Sequence, residues 1–415
     1  MRTVCLVLSL LVASPLYGED AVWVPAKDMS KDAVLNDRAV ETFDAGLRPE
    51  WGYAVPQQDT FVVMHPKQDY PQAPLYVVLH SAGHDVLSCV DCCRTVGNHD
   101  IYRSPDDHYA LYLDCRKHQA QDWWWGGMHA KDKGLIKRNS GGDPTPVEKR
   151  VIDTVKWAIQ KYNIDPNRVY LSGNSMGGSG TLGIGMRHGD VFAAIKANVP
   201  AGIEHVSQRM YFPPQSVPDN ISLPDPPIVI DYSAPNDGWS EGHERFVKSM
   251  QDRKYAFFFY WGPFGHANNS AEIMKMNDLI DSLDWLNVKK NEAYVVFTNA
   301  TCNSPLPWPD DLKSTMAGQV NAFFRWKNIS DASEEIGMSL CLVTATDLQT
   351  QFDIPQEASA DVTFRRMQNF QLKPHETFHW TFGGTKGDGQ ADPQGLMTIP
   401  SLKITSVPTI LSVVK

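Results

Sequence analysis

Residues 173–177, Gly-Asn-Ser-Met-Gly, place one serine between two glycines, each two positions away. A serine hydroxyl becomes a strong nucleophile when an adjacent base takes its proton. A serine in this glycine pattern is typical of a sharp turn that leads from a strand into a helix, where the flanking chain packs too closely for side chains. The pattern predicts that Ser175 is a catalytic nucleophile; a tight turn in which Ser175 only caps a helix is the alternative.

The elements around Ser175 agree with this prediction. An apolar run at residues 169–171 indicates a strand before the turn, and small residues from Gly178 to His188 indicate a helix after it. Between about residues 74 and 286, short apolar runs alternate with amphipathic segments, which is the pattern of a parallel sheet with crossover helices. The sequence therefore predicts an α/β region that presents the serine at the end of a buried strand.

The character of the chain changes after about residue 290, where strand-like stretches alternate with turns and no long helical pattern occurs. This pattern is typical of a small all-β, sandwich-like domain at residues 290–415. We expect the catalytic domain at residues 19–289, with an N-terminal β extension at 19–70. Residues 1–18 are predicted to be a signal peptide, with Arg2 before a short apolar run.

Residues 165–178, with the sequence DPNRVYLSGNSMGG, resemble the nucleophile turn of the polyhydroxybutyrate depolymerase and feruloyl/acetylxylan esterase group within the α/β-hydrolases. They are also similar to the related prolyl-oligopeptidase-like hydrolases. The resemblance extends over roughly residues 60–286. It implies an α/β-hydrolase fold, with a mostly parallel sheet and helices on both faces, that carries a serine esterase with a Ser-His-Asp mechanism.

In this fold the catalytic acid follows the serine along the chain. Residues 227–232 are predicted to form a strand, and Asp237 lies in the turn-rich loop beyond it, where the family carries its acid. Asp231 is the competing carboxylate, but its position within the strand points it into the layers of the fold. We therefore expect Asp237 to orient the catalytic base.

The catalytic base comes last in the chain order of the family. Residues 256–261 are predicted to form a strand, and His266 follows a glycine in the loop beyond it. A structural role for His266 is the alternative, and His243, on a predicted helix, is a poorer candidate for the base. We expect His266 to take the proton of Ser175 as the ester is attacked.

The oxyanion that forms during ester attack needs hydrogen-bond donors that are already in place. One should be the backbone N–H of Met176, the residue after the nucleophile. The second should come from the loop at residues 80–84, His-Ser-Ala-Gly-His, which resembles the His-Gly-Gly segment of the family although other residues replace its glycines. Ser81 and Ala82 both remain candidates for this donor, and a purely structural turn is the alternative.

Several tryptophans lie near these elements in the sequence. A cleft lined by indole rings suits sugars, phenolic acids or aromatic polyesters, although each ring could instead belong to the core. The predicted substrate-binding residues are Trp123, Trp124, Trp125, Trp239 and Trp261.

The composition limits the classes of function. The chain has 415 residues and a net charge of −10, which argues against a general nucleic-acid binder because such a protein needs a basic face. No sequence motif for a metal, a phosphate or a dinucleotide is present, so we expect no cofactor. After signal cleavage we expect an exported protein with no membrane segment.

Export would place the cysteines in an oxidising compartment, where an even number favours disulfide bonds. Cys302–Cys341 is the simplest pair, and three pairings remain open for the other four cysteines. A zinc site built from those four is the alternative. The four are Cys89, Cys92, Cys93 and Cys115.

These observations together predict a secreted serine esterase, with an ester substrate that could be polymeric. A plant-polysaccharide ester carrying feruloyl or acetyl groups is the leading substrate. A polyester depolymerase on the same scaffold is the runner-up, with polyhydroxyalkanoate or an aromatic polyester as its substrate. A catalytically inactive carbohydrate-binding protein is the alternative from another class, and it would have no use for the Ser175 turn.

Overall fold

A computed structural model of the chain describes residues 23–25, 34–46, 48–53, 59–94, 100–115, 124, 142–266 and 271–415. Ten strands precede residue 290 in these ranges: β1 Trp23–Pro25, β2 Val34–Leu35, β3 Arg38–Ala45, β4 Asp59–Met64, β5 Leu75–Leu79, β6 Tyr109–Leu113, β7 Val169–Asn174, β8 Ala194–Asn198, β9 Ile228–Ser233 and β10 Phe257–Trp261. Nine follow it: β11 Tyr294–Thr298, β12 Gly318–Val320, β13 Phe324–Asp331, β14 Glu335–Leu342, β15 Glu357–Arg365, β16 Thr377–Phe382, β17 Thr385–Gln390, β18 Thr398–Thr405 and β19 Thr409–Val414.

The main sheet has the order β1-β3-β4-β6-β5-β7-β8-β9-β10-β12, with β2 paired to β3. Its six central strands, from β6 to β10, are parallel to one another. Antiparallel strands extend both edges, β4 beside β6 and β12 beside β10. The prediction of a mostly parallel sheet is confirmed.

Helices cover both faces of this sheet: α1 Val86–Cys92, α2 Pro146–Lys161, α3 Met176–Gly185, α4 Glu204–Arg209, α5 His243–Asp252 and α6 Ala271–Asp281. The central strands are continuous apolar runs, as expected for strands that are buried on both sides. Alternate residues of β5 therefore enter two cores. Tyr76 packs with α1, α6 and the C-terminal strands, whereas Val77 packs with α2, α3 and α5.

The C-terminal strands form two further antiparallel sheets, one of order β11-β15-β18 and one of order β13-β14-β19-β16-β17. Apolar residues of both sheets pack into the same core as α6, among them Val362 and Met338. Strand β12 leaves this C-terminal β region, defined here as residues 290–415, and pairs with β10 of the main sheet. The boundary at residue 290 stays a prediction.

The disulfide prediction is wrong, because no bond joins Cys302 to Cys341 or any two of Cys89, Cys92, Cys93 and Cys115. The first three of those four pack on the α1 face of the main sheet, whereas Cys115 packs on the opposite face. The alternative of a zinc site built from all four is also wrong, because the main sheet separates Cys115 from the other three. Burial raises the pKa of the Cys302 thiol to about 11, which keeps it protonated at neutral pH.

None of the helices in the described ranges combines the length and the apolar character that a membrane span requires.

Candidate active site

Ser175 lies at the junction of β7 and α3 with backbone angles of φ 55° and ψ −115°, a conformation that side chains other than glycine rarely adopt. The flanking glycines are required by close packing. A Cβ atom on Gly173 would lie 2.3 Å from the carbonyl oxygen of Gly177, and one on Gly177 would lie 2.0 Å from that of Leu79. The turn places Ser175 at the carboxyl end of the sheet. The backbone N–H of Ser175 donates to Asn198 O at 2.9 Å.

His266 lies between Ser175 and Asp237 in the structure. Its Nε2 is 2.7 Å from Ser175 Oγ, and its Nδ1 is 2.6 Å from Asp237 Oδ2. Asp237 is 6% exposed, and its other oxygen accepts the backbone N–H of Trp239 at 3.0 Å. The structure brings the three predicted catalytic residues together with one partner on each ring nitrogen.

The competing residues Asp231 and His243 lie in the core, and both are 0% exposed. They contact each other, with Asp231 Oδ2 3.2 Å from His243 Nε2. Burial raises the pKa of the Asp231 carboxyl. Both residues have structural partners, and their contacts do not include Ser175.

The two candidate oxyanion donors from the early loop differ in their surroundings. The backbone N–H of Ser81 donates to the Tyr102 hydroxyl at 3.3 Å, and Ser81 Oγ lies 2.6 Å from the same hydroxyl. Ala82 is exposed, and no described group accepts its N–H. Met176 is the first residue of α3, so its N–H has no acceptor within the helix. These contacts favour Ala82 together with Met176 as the donors.

The loop at residues 80–84, which carries the candidate donor Ala82, is held in place by side chains that no sequence pattern identified. His80 is buried, with Nε2 2.9 Å from Asp114 Oδ1 and Nδ1 2.9 Å from Ser81 O. The Tyr102 hydroxyl holds Ser81 from the other side. Neither Tyr102 nor Asp114 lies near the loop in sequence, and no motif marks them; only the paired ends of β5 and β6 bring Asp114 to this point.

Two of the predicted substrate-binding tryptophans belong to the core, so their assignment is wrong. Trp124 is 0% exposed, donates its indole N–H to His80 O at 2.9 Å, and packs on Gly180. Trp261 is 2% exposed within β10. The five residues of β10, FFFYW, are all buried, and such a run in a central parallel strand is the sign that could have revealed this position as core.

Trp239 is half-buried, and its ring centroid lies 6.5 Å from that of His266. It thus lies beside His266, and its role in substrate binding stays a prediction. Trp123 and Trp125 lie outside the described residues. A further hydrogen bond links the loops that carry Asp237 and His266, since the N–H of Gly265 donates to Asn236 Oδ1 at 2.9 Å.

The strand order, the turn at Ser175, and the positions of Asp237 and His266 in the loops after β9 and β10 together decide the architecture. The chain has the α/β-hydrolase fold. Residues 147–203, which run from α2 past the serine turn and β8, match the model of the prolyl oligopeptidase family, Peptidase_S9. No curated protein matches the chain.

Solved structures that resemble part of the chain include esterases and a serine hydrolase. A thermostable esterase is 20% identical, with 62% of this chain and 64% of that chain covered and a TM-score of 0.43. A fluorophosphonate-binding serine hydrolase of Staphylococcus aureus is 12% identical, with 60% and 99% covered and a TM-score of 0.40. An acetyl xylan esterase from Aspergillus awamori is 10% identical, with 55% and 93% covered and a TM-score of 0.35.

The chain spans less than two thirds of the length of the thermostable esterase.

Proposed function

We propose that this protein is a serine esterase that hydrolyses carboxylic esters through an acyl-enzyme intermediate. The observation that carries the proposal is the His266 ring, which reaches Ser175 Oγ with one nitrogen and Asp237 Oδ2 with the other. This arrangement can move a proton off the serine and stabilise the imidazolium that results. It stands on a backbone turn whose glycines cannot be replaced without a clash.

In the first half of the reaction, Ser175 Oγ attacks the carbonyl carbon of the ester as its proton passes to His266 Nε2. The carbonyl oxygen becomes an oxyanion, and in this proposal it accepts hydrogen bonds from the N–H groups of Met176 and Ala82. Collapse of the tetrahedral intermediate breaks the ester C–O bond. The proton on His266 then passes to the alcohol oxygen, so a neutral alcohol leaves and the acyl group stays on Ser175.

In the second half, a water molecule takes the place of the alcohol. His266 Nε2 accepts a proton from this water as it attacks the acyl carbon, and the same N–H donors bind the second oxyanion. The intermediate collapses with return of the proton to Ser175 Oγ, which releases the carboxylic acid. Asp237 holds the imidazole in the required tautomer throughout.

We propose that the substrate is a plant-polysaccharide ester with a feruloyl or acetyl group. The protein would act on it outside the cytoplasm, after residues 1–18 have been removed from the chain. Trp239 supports a ring-containing substrate, because its half-exposed indole lies beside the base that protonates the leaving alcohol. Aromatic faces bind sugar and phenolic rings by large, flat contacts.

The activity is tested by assaying the purified mature protein on methyl ferulate, acetylated xylo-oligosaccharides, a hydroxybutyrate oligomer and a peptide anilide. We expect ester hydrolysis that a fluorophosphonate abolishes. Hydrolysis that persists after complete labelling, or cleavage of the anilide in preference to every ester, would contradict the proposal. Preference for the hydroxybutyrate oligomer would keep the mechanism and replace the substrate class.

The contribution of Trp239 is tested separately with Trp239→Ala. Loss of the ring should raise KM for the feruloyl and xylo-oligosaccharide esters by about tenfold, while a small aliphatic ester is unaffected. An equal change for all of these esters would show that Trp239 only supports the acid loop.

A further inference from the structure

The segment at residues 299–317, which links β11 to β12, passes from one face of the main sheet to the other. The strand before it packs on the α6 face, where Val295 and Phe297 lie in the core. Trp308, within the segment, is buried in the core of the opposite face, and Leu306 packs against that same core. The segment therefore runs around the edge of the sheet beyond β10, and we call residues 299–317 the edge strap.

Trp308 occupies a position directly behind the loop that carries the acid. It is 3% exposed, and its ring centroid lies 5.0 Å from that of His243, 5.6 Å from Phe259 and 6.0 Å from Trp261. Its indole N–H donates to Ser240 Oγ at 3.1 Å. An indole can only donate, so this contact uses the acceptor side of the serine hydroxyl and leaves its proton to be donated elsewhere.

The Ser240 hydroxyl, in turn, closes the acid loop. Its oxygen lies 2.8 Å from Ala234 O and 2.9 Å from Asp237 O, so its proton is donated within the loop. The Ser240 N–H also donates to Asp237 O, and the Asp237 N–H donates to Ala234 O. Ser240 is thus hydrogen-bonded to the backbone of the loop at Ala234 and at Asp237 itself, and Trp308 orients the Ser240 hydroxyl.

We propose that Trp308 is a positioning residue for the catalytic acid, through which the C-terminal β region takes part in catalysis. By fixing Ser240, it keeps the Asp237 carboxylate on His266 Nδ1. This inference rests on the proposed serine-esterase function, and it gives the edge strap a role beyond covering the sheet edge.

The test compares three variants of the full-length mature protein. Trp308→Phe removes the N–H and keeps a ring, and Ser240→Ala removes its acceptor. Trp326→Phe is the matched control, because Trp326 is also in the C-terminal β region but stacks on Phe258 of the opposite core. Kinetic constants on a soluble ester, the pH profile of kcat/KM and urea unfolding are measured for each.

We expect Trp308→Phe and Ser240→Ala each to lower kcat by about tenfold to a hundredfold with KM unchanged, because a small displacement of the acid weakens support of the imidazolium. The acid limb of the pH profile should move to lower pH for the same reason. The double variant should be no worse than the poorer single variant, since each single variant already lacks the Trp308–Ser240 hydrogen bond. Trp326→Phe should match the wild type in kcat and in the pH profile.

Unchanged kcat in Trp308→Phe would overturn the inference if the wild type hydrolyses esters and is labelled by a fluorophosphonate. An additive double variant, or a loss equal to that of Trp326→Phe, would overturn it too. If Trp308→Phe does not fold, unchanged kcat in Ser240→Ala, which also lacks the Trp308–Ser240 hydrogen bond, would overturn the inference instead. A wild type that is neither labelled nor active would instead remove the proposed function.

Discussion

Among the described residues, the group of Ser175, His266 and Asp237 differs in geometry from a second group of one serine, one histidine and one aspartate. In the open triad, His266 contacts Ser175 through Nε2 and Asp237 through Nδ1. The ring lies between its partners, so a proton taken from the serine arrives on an imidazole that the carboxylate supports. The His266 side chain is 33% exposed, which allows a substrate to reach the serine.

The buried triad consists of Ser233, His243 and Asp231, which are at most 1% exposed. Ser233 Oγ and Asp231 Oδ2 both approach the same ring nitrogen, Nε2, at 2.9 and 3.2 Å. The other nitrogen, Nδ1, donates to Ser240 O at 2.6 Å. This ring therefore does not connect serine to carboxylate, and it is packed between Phe259 and the edge strap.

The comparison shows that residue types and closeness in sequence do not define a catalytic group. What matters is which ring nitrogen each partner uses and whether a substrate can reach the serine. Asp231 and Asp237 are six positions apart, yet Asp231 lies within a buried strand and Asp237 lies in the loop beyond it. The following experiments test whether the two triads differ in function as they do in geometry.

The largest effect is expected for the nucleophile. Ser175→Ala should lower kcat by about a millionfold and abolish fluorophosphonate labelling, because no other group in the open triad can form the acyl-enzyme. Ser233→Ala is the control, with kcat and labelling at wild-type levels. Labelling that persists in Ser175→Ala, or that is lost in Ser233→Ala, would contradict the assignment.

The second effect concerns the acid. Asp237→Asn should lower kcat by about ten-thousandfold, because the amide holds the imidazole in the wrong tautomer. Asp231→Asn should keep most of the activity. Circular dichroism of both variants checks that each is folded, and the reverse order of activities would show that the buried triad contains the true acid.

The sequence was sufficient for the residues that must follow the chain order of the fold. Ser175, Asp237 and His266 each lie just past the carboxyl end of a parallel strand, and such ends meet at one edge of the sheet. A hydrophobic run and a turn are visible in the sequence, so these three positions could be predicted together.

Other features depend on contacts between distant segments and could not be predicted. Whether Trp124 lines a cleft or fills the core depends on Gly180, which leaves space for its ring more than fifty positions later. The pairing of β12 with β10 and the position of Trp308 depend on the path of the edge strap. An even count of cysteines also does not show which of them are close in space, since Cys93 and Cys115 pack in separate cores.

The third effect is a dependence of activity on pH. On the acid side, kcat/KM should fall by about tenfold for each pH unit, because a protonated imidazole cannot accept the serine proton. Asp231→Asn should leave this acid limb where it is in the wild type, since the buried triad exchanges no proton with the substrate. A shift of the acid limb in Asp231→Asn would show that the two triads are coupled.

The smallest effect is on stability, and it tests whether the buried triad holds its aspartate in the neutral form. Burial raises the pKa of Asp231 in the folded protein above its value in the unfolded chain. A raised pKa means that the stability from this group is fully present below the ordinary carboxyl value of about 3.9 and is lost as the pH rises through the higher folded value. Asn cannot ionise, so the Asp231→Asn variant should gain stability relative to the wild type between about pH 4 and pH 7. Urea unfolding of both proteins at the two pH values measures this. If the wild type instead gains stability relative to the variant as the pH rises, Asp231 is ionised in the folded protein, and the interpretation of the buried triad as holding a neutral aspartate is wrong.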